Sequence, residues 1–413
     1  MNERVAIRVV SILAILLSAL GCDQSAPASS STGKEPMSEW RNGRIVLGSP
    51  SLTAGIPGDG PLTIDQIRDW LSQDGIHEPL DFVLPAGLVD AAEFITIPSD
   101  NPLTRAKIEL GRQLFFDGRL SDFRITACAT CHLPEQDYSV HGVMPVSALN
   151  PPVCFNRILG GRQFWDGRAQ SLEDQVEGPI TNSFEMGTTP DECVARLRSI
   201  EGYQLQFQAI FGELNFDAVG KALASFQRVL VTGPAPWDYR RLIALYEKRA
   251  VDSLSPEEQL LVRQFEPGAS AHPMSASAIR GEALFFSDRT RCHVCHSGPN
   301  LTDEAYHNVG TGMADDEPDL GRFDITKNEQ DRGSFKTPTL RNVARTSPYM
   351  HNGQFDTLRE VVNWFDRGGF EHPHLDRDVR PLDLTRDEKR DLVAFLEALT
   401  GALPPVETAR LPE

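Results

Sequence analysis

Two segments of this chain have residue types and spacing suited to holding a redox metal: Cys128-Ala-Thr-Cys131-His132 and Cys292-His293-Val-Cys295-His296. Cys-x-x-Cys-His is the attachment pattern of c-type haem. The two thiols add to the vinyl groups of the porphyrin, and the adjacent His turns under the metal to supply an axial nitrogen. The rival chemistry is one zinc ion on four thiolates. Both copies carry a His that zinc does not need, which favours two covalently bound c-type haems, with His132 and His296 as the iron ligands.

The elements that must position these segments repeat along the chain. Gly111-Arg-Gln-Leu114-Phe115-Phe116 precedes the first segment and Gly281-Glu-Ala-Leu284-Phe285-Phe286 the second. Each lies in a stretch with apolar residues at helical spacing and predicts a leading helix. A closing helix is expected in each half. The first is Ala218–Val231, with Leu223, Phe226, Val229 and Leu230 on one side. The second is Arg386–Leu399, where Thr385-Arg-Asp-Glu388 fits a capping box. Strand patterns are scarce. The expected fold is mainly α, with two cytochrome c-like haem domains in tandem, their cores built largely from haem against helices.

Length and composition frame this reading. The chain has 413 residues, is 40% hydrophobic and 24% charged, and carries a formal charge of −18. That balance argues against nucleic acid as a partner and permits a basic redox protein. Arg4 and Arg8 precede an apolar run, Val9 to Leu20, too short for a permanent membrane span and suited to an export signal. It ends Ala19-Leu20-Gly21-Cys22, which resembles a bacterial lipobox, so Cys22 is the candidate lipidation site; a plain cleaved signal is the alternative. Either places the mature chain in the periplasm or cell envelope. Four of the seven Cys serve haem and one the export signal. Cys154 and Cys193 remain, either as a disulfide in that oxidising compartment or as two buried thiols.

The expected organisation is a signal at 1–22, a flexible Ser/Ala/Pro-rich tether at 23–37, an N-terminal arm at 38–100 with a helix near Thr63–Ser72, a first haem domain at 101–266 and a second at 267–413. The boundary is placed near 266–275, where Pro267, Gly268 and Pro273 cluster.

Between the haem segments lies Gln163-Phe-Trp165-Asp-Gly-Arg168, followed by Asn182-Ser-Phe-Glu185-Met-Gly187. After the second come Lys336-Thr-Pro-Thr-Leu-Arg-Asn342 and Thr346-Ser-Pro348-Tyr-Met-His351. With these motifs, in this order, residues 100–400 resemble the bacterial di-haem cytochrome c peroxidase superfamily, which includes MauG-type enzymes that oxidise residues of a partner protein. The resemblance implies a peroxide-reactive haem on His132 and an electron-input haem on His296. It implies Trp165 between them, Glu185 as acid/base, and Gln175 and Pro179 lining the peroxide pocket. It also implies Asn150, Thr346 and Pro348 around a calcium ion, the last two through backbone carbonyls. Chemistry independently suits these roles. Splitting an O–O bond requires a proton moved between its oxygens, which one carboxylate can do. Calcium prefers oxygen ligands, and an indole is an oxidisable relay.

The sequence departs from the superfamily pattern twice. Many members have a distal His on the peroxide-reactive haem; the corresponding position falls near Ala148–Leu149, where none stands, and His141 is read as a loop residue. The electron-input haem usually has Met or Tyr opposite its His; that position is Phe365, which cannot ligate iron. Met350, Met313, His307 and His351 are the candidate substitutes. The resemblance thus implies a peroxidase reducing hydrogen peroxide to water with electrons from a small cytochrome c or a cupredoxin. A MauG-like oxidase of a partner protein, or a non-catalytic di-haem electron carrier, are the alternatives. A homodimer is compatible with the sequence.

Overall fold

The structure is a computed structural model that describes residues 40–41, 43–140, 149–244, 253–314 and 318–413. The expected signal and tether, Cys22, His141 and Ala148 lie outside the described residues. The chain is mainly helical, and among the described residues its strands are two or three residues long.

Two helix pairs dominate the packing, and the sequence repeat explains both. The first leading helix, Arg105–Phe116, is capped by Thr104, whose side chain accepts from the Lys107 amide. Its closing partner, Phe216–Val229, is capped in the same way by Asn215. The second pair is Ala276–Phe285, capped by Ser275, and Arg386–Glu397, where Thr385 and Glu388 form the expected capping box. Both closing helices stop two residues before the expected ends, so Leu230 and Val231 leave the first helix yet stay fully buried.

The glycine of each Gly-x-x-Leu-Phe-Phe marks where a pair crosses. A Cβ on Gly111 would lie 1.9 Å from the Ala222 carbonyl oxygen, and one on Gly281 would lie 1.9 Å from that of Asp391. No side chain fits at either position. The phenylalanines that follow then meet the opposite helix: Phe115 packs on Phe226 at 5.2 Å and Phe285 on Phe395 at 5.0 Å between ring centroids.

The N-terminal arm is built into the first core. Strand Arg44–Val46 pairs antiparallel with Trp40–Arg41 and parallel with Phe82–Val83. It delivers Ile45 and Leu47 to the same core as Leu110, Phe115 and Phe226. The helix expected near Thr63 is Ile64–Leu71, with a Thr63–Gln66 capping box.

Helix Pro256–Ala271 runs through the expected 266/267 boundary with Pro267 inside. Gly268 sits under the Tyr239 ring, 2.3 Å from where its Cβ would be, so it serves helix packing and not a turn. The first core ends at Val231, and Trp237 already belongs to the second, stacked on Phe286 at 6.0 Å. The C-terminus also departs from a sequential division, because it returns to the first half. The buried Arg112 donates to the Glu407 and Arg410 carbonyls at 2.6 and 2.9 Å, the Leu62 amide to Leu411 at 2.8 Å, and Arg119 to Pro412 at 2.9 Å.

Candidate active site between the two halves

The two Cys-x-x-Cys-His segments fold alike. Each forms one helical turn, Cys128–Cys131 and Cys292–Cys295, with the His just past it; its amide bonds to the carbonyl of the first Cys at 3.1 and 3.0 Å. His132 directs Nδ1 to the Tyr138 carbonyl at 3.3 Å, and His296 directs Nδ1 to that of Leu301 at 3.0 Å. Phe115 and Phe285 flank them, each with its ring centroid 6.4 Å away. A backbone carbonyl on Nδ1 fixes the tautomer and leaves Nε2 as the lone pair, the arrangement typical of a metal-ligating His. Burial pushes His132 down to about 4 and lowers His296 as well, so both present the neutral imidazole that a metal requires. The chemistry and geometry of both donor sets fit c-type haem.

The surroundings of the two segments differ. A cavity of about 240 Å³ is lined by Cys128, Cys131 and His132 together with Asn150, Trp165, Gln175, Pro179, Glu185, Thr346 and Pro348. The residues singled out between and after the haem segments thus converge on the first segment. Cys292, Cys295 and His296 do not line this cavity.

Within it, Glu185 is half-buried, and Asn182 donates to its Oε1 at 2.7 Å. Gln175 ends the short helix Leu172–Gln175. Trp165 is pinned twice: its Nε1–H donates to the Asn150 carbonyl at 2.7 Å, and its own carbonyl accepts from the Lys336 amide at 2.7 Å. Asn150 and Lys336 come from opposite halves, so the indole is held at their junction. The Asn150 amide group donates to the Pro348 and Met350 carbonyls at 2.7 and 3.1 Å, while its Oδ1 is buried without a partner. An orphaned amide oxygen beside backbone carbonyls fits a hard cation such as calcium, which such oxygens would ligate.

Phe365 lies on helix Leu358–Asp366 and packs against the second core. Of the four candidate substitutes, His307 has both nitrogens engaged, by Asp303 at 2.9 Å and Asp376 at 2.6 Å, and these carboxylates push it up to about 12. Met350 lines the first cavity. Met313 is buried beside Gly333. His351 is buried, stacked on Phe335 at 3.6 Å, and its Nε2 has no partner among the described residues.

Sequence reasoning missed part of the lining. Cys154 and Cys193 are both free buried thiols, so the disulfide alternative is not realised, and Cys154 lines the cavity. Arg157, Arg168, Lys336 and Arg341 line it too. Their proximity depends on the fold and leaves no spacing signal, although Lys336 stands in a motif noted for other reasons.

Comparison with known proteins identifies the family. The sequence profile described as "Di-haem cytochrome c peroxidase" matches residues 105–242. The chain is 36% identical over 330 residues to the methylamine utilization protein MauG of Methylorubrum extorquens, covering 78% of this chain and 85% of that protein. It is 32% identical over 360 residues to the cytochrome c551 peroxidase of Pseudomonas aeruginosa, covering 81% and 93%. A solved structure of a MauG-like protein associated with microbial copper homeostasis aligns with a TM-score of 0.62 at 29% identity, covering 74% of this chain and 93% of that one. The chain belongs to the di-haem cytochrome c peroxidase family and is a peroxidase-type oxidoreductase.

Proposed function

We propose that this chain is a periplasmic di-haem peroxidase that reduces hydrogen peroxide to water, with electrons from a small cytochrome c or a cupredoxin. The observation that carries this reading is asymmetry: Glu185, Gln175 and Trp165 share a cavity with His132 and its two cysteines, and His296 is not among its lining residues. Two haem domains in tandem then divide the work. The first would supply the iron that meets peroxide and the second would take in electrons, with Trp165, held at the junction of the halves, as the relay.

The c-type haem held by Cys128, Cys131 and His132 supplies the redox iron. The chain's own residues handle substrate and protons. Asn182 occupies Oε1 of Glu185, which leaves Oε2 to accept a proton from one peroxide oxygen and return it to the other. Gln175 donates to the bound peroxide and orients it. Neutral His132 holds its position through the Tyr138 carbonyl. A calcium ion on Asn150 Oδ1 and the carbonyls of Thr346 and Pro348 would fix the loop carrying the Trp165 acceptor. Lipidation at Cys22 would tether the enzyme to a membrane, and a homodimer is its proposed assembly.

A MauG-like activity on a partner protein is the second reading. It is favoured by the absence of any His but His132 among the described residues lining the cavity, and opposed by Phe365 in place of a tyrosine.

Peroxide titration of the purified holoprotein with reduced cytochrome c separates these readings. Stoichiometric donor oxidation is expected, and Glu185→Gln should slow it by about 10²-fold or more. An unchanged rate in that variant removes Glu185 from the proton path. No donor oxidation by either the as-isolated or the half-reduced enzyme overturns the peroxidase reading.

A further inference from the structure

The walls of the first cavity are electrostatically at odds with the rest of the chain. The net charge is −18, yet four cations line the cavity, Arg157, Arg168, Lys336 and Arg341, against one carboxylate, Glu185. Two of the four are fully matched elsewhere. Arg168 pairs with Asp166 at 2.9 Å, and Arg341 is held by the buried Asp238, one contact being 2.9 Å.

Arg157 and Lys336 are not matched. Both are 8% exposed. They share a single carboxylate, Glu304, which Arg157 reaches at 3.2 and 3.4 Å and Lys336 only at 3.4 and 3.5 Å. The Arg157 fork is otherwise engaged by the Gln163 side chain and the Arg162 carbonyl, both at 2.9 Å. The Lys336 ammonium has no acceptor but Glu304 among the described residues. Two buried cations on one carboxylate leave an excess positive charge at the cavity wall, and such a charge is costly unless an anion meets it. Burial, with the Arg157 charge beside it, pushes Lys336 down to about 8, as expected where Glu304 alone does not hold an ammonium.

A haem tethered by its vinyl carbons to Cys128 and Cys131 brings two carboxylates, its propionates, into this cavity. We propose that Arg157 and Lys336 form the propionate site of that haem, and that the Lys336 charge raises the haem's reduction potential. The inference rests on the reading that the first haem occupies this cavity. It gives Lys336 a double position. Its backbone amide holds the Trp165 carbonyl while its side chain holds the porphyrin edge, so one residue from the second half sets the placement of both. Glu304 then links this site to the second haem segment, since the neighbouring Asp303 amide donates to the Cys295 carbonyl at 2.8 Å. Lys336 is a positioning and tuning residue; it moves no proton in the reaction.

Spectroelectrochemical titration of the holoprotein tests this. The first haem is identified as the one lost in a Cys128→Ala/Cys131→Ala chain. A nearby positive charge opposes the ferric state, so Lys336→Met should lower the midpoint potential of the first haem and leave the second unmoved. Lys336→Arg should restore the parent value. A Lys336→Met protein with two covalent haems and an unshifted first potential overturns the proposal and leaves the peroxidase reading intact. A Cys128→Ala/Cys131→Ala chain that still carries two covalent haems overturns the reading on which it rests. A crystal structure of the parent holoprotein needs no variant: Lys336 Nζ within hydrogen-bond reach of a propionate supports the site, and Nζ on Glu304 alone sinks it.

Discussion

Gly111→Ala tests whether the repeated glycine is a packing device. Its Cβ would stand 1.9 Å from the Ala222 carbonyl oxygen and 2.9 Å from the Phe226 Cβ. Ordinary contact begins near 3.4 Å, so the two helices must separate by roughly 1.5 Å at the crossing. The obstacle is backbone, which cannot swing aside as a side chain would. Overpacking by a methyl group costs about 1–3 kcal/mol where side chains can adjust, and the upper end applies here. Ala gains about 1 kcal/mol over Gly in helix propensity. The net expectation is a loss of about 2 kcal/mol, or ~4–8 °C in the melting of the first half if it melts as a unit of 150–250 residues. Gly281→Ala should do the same to the second half. Gly161→Ala, with nothing within 4 Å and no positive φ, is the neutral control. Differential scanning calorimetry of the holoproteins gives the readout, with haem content measured alongside. Gly111→Ala as stable as the parent would refute the packing argument, because propensity would then have outweighed the clash.

Other consequences follow from individual contacts. Deleting residues 404–413 removes the Glu407 and Arg410 carbonyl acceptors of Arg112, which is fully buried and otherwise paired with Glu109. We expect a loss of more than about 3 kcal/mol, centred on the first half, read by denaturant titration; unchanged unfolding would show that the tail is dispensable. His307, raised to about 12 by Asp303 and Asp376, should stabilise most below its ordinary value near 6.5, with the benefit shrinking as pH rises from there toward 12. The melting deficit of His307→Gln should therefore narrow between pH 6 and pH 9, and a constant deficit would count against the charged clamp. For calcium, chelation of the parent holoprotein should lower its melting temperature and release about one ion per chain. Asn150→Ala should neither hold the ion nor respond to chelator; retention of calcium by that variant would place the site elsewhere.

Much of this was legible because it is written in local patterns. A capping residue followed by apolar residues at helical spacing fixes a helix wherever it packs, so both leading helices form where expected and the closing helices fall within two residues of their expected ends. The convergence of Trp165, Gln175 and Glu185 on His132 came through the order of family motifs. What escaped depends on contacts between distant segments. Pro267 and Gly268 look like punctuation, yet Gly268 is there to let a helix approach Tyr239. Cys154 invited a disulfide, but the fold turns it into the cavity wall. His307 was a plausible iron ligand until Asp376, far along the chain, took one nitrogen and Asp303 the other.

The two haem segments are near copies in their backbone hydrogen bonds, flanking phenylalanines and crossing glycines, so any difference in their roles would have to come from what the rest of the chain brings to each. The first receives Glu185 and Gln175 from its own half, and Asn150 and Lys336 join there from opposite halves around Trp165. Against the second core packs Phe365, and the nitrogens of His307 are both engaged by carboxylates. A distal position on the second haem without methionine would favour its ferric state, because methionine ligation favours the ferrous one. Cations at the wall of the first would shift that haem the opposite way. Both effects would make electron flow from the second haem to the first downhill, so the charge imbalance at Lys336 and a distal position without methionine would act in the same direction.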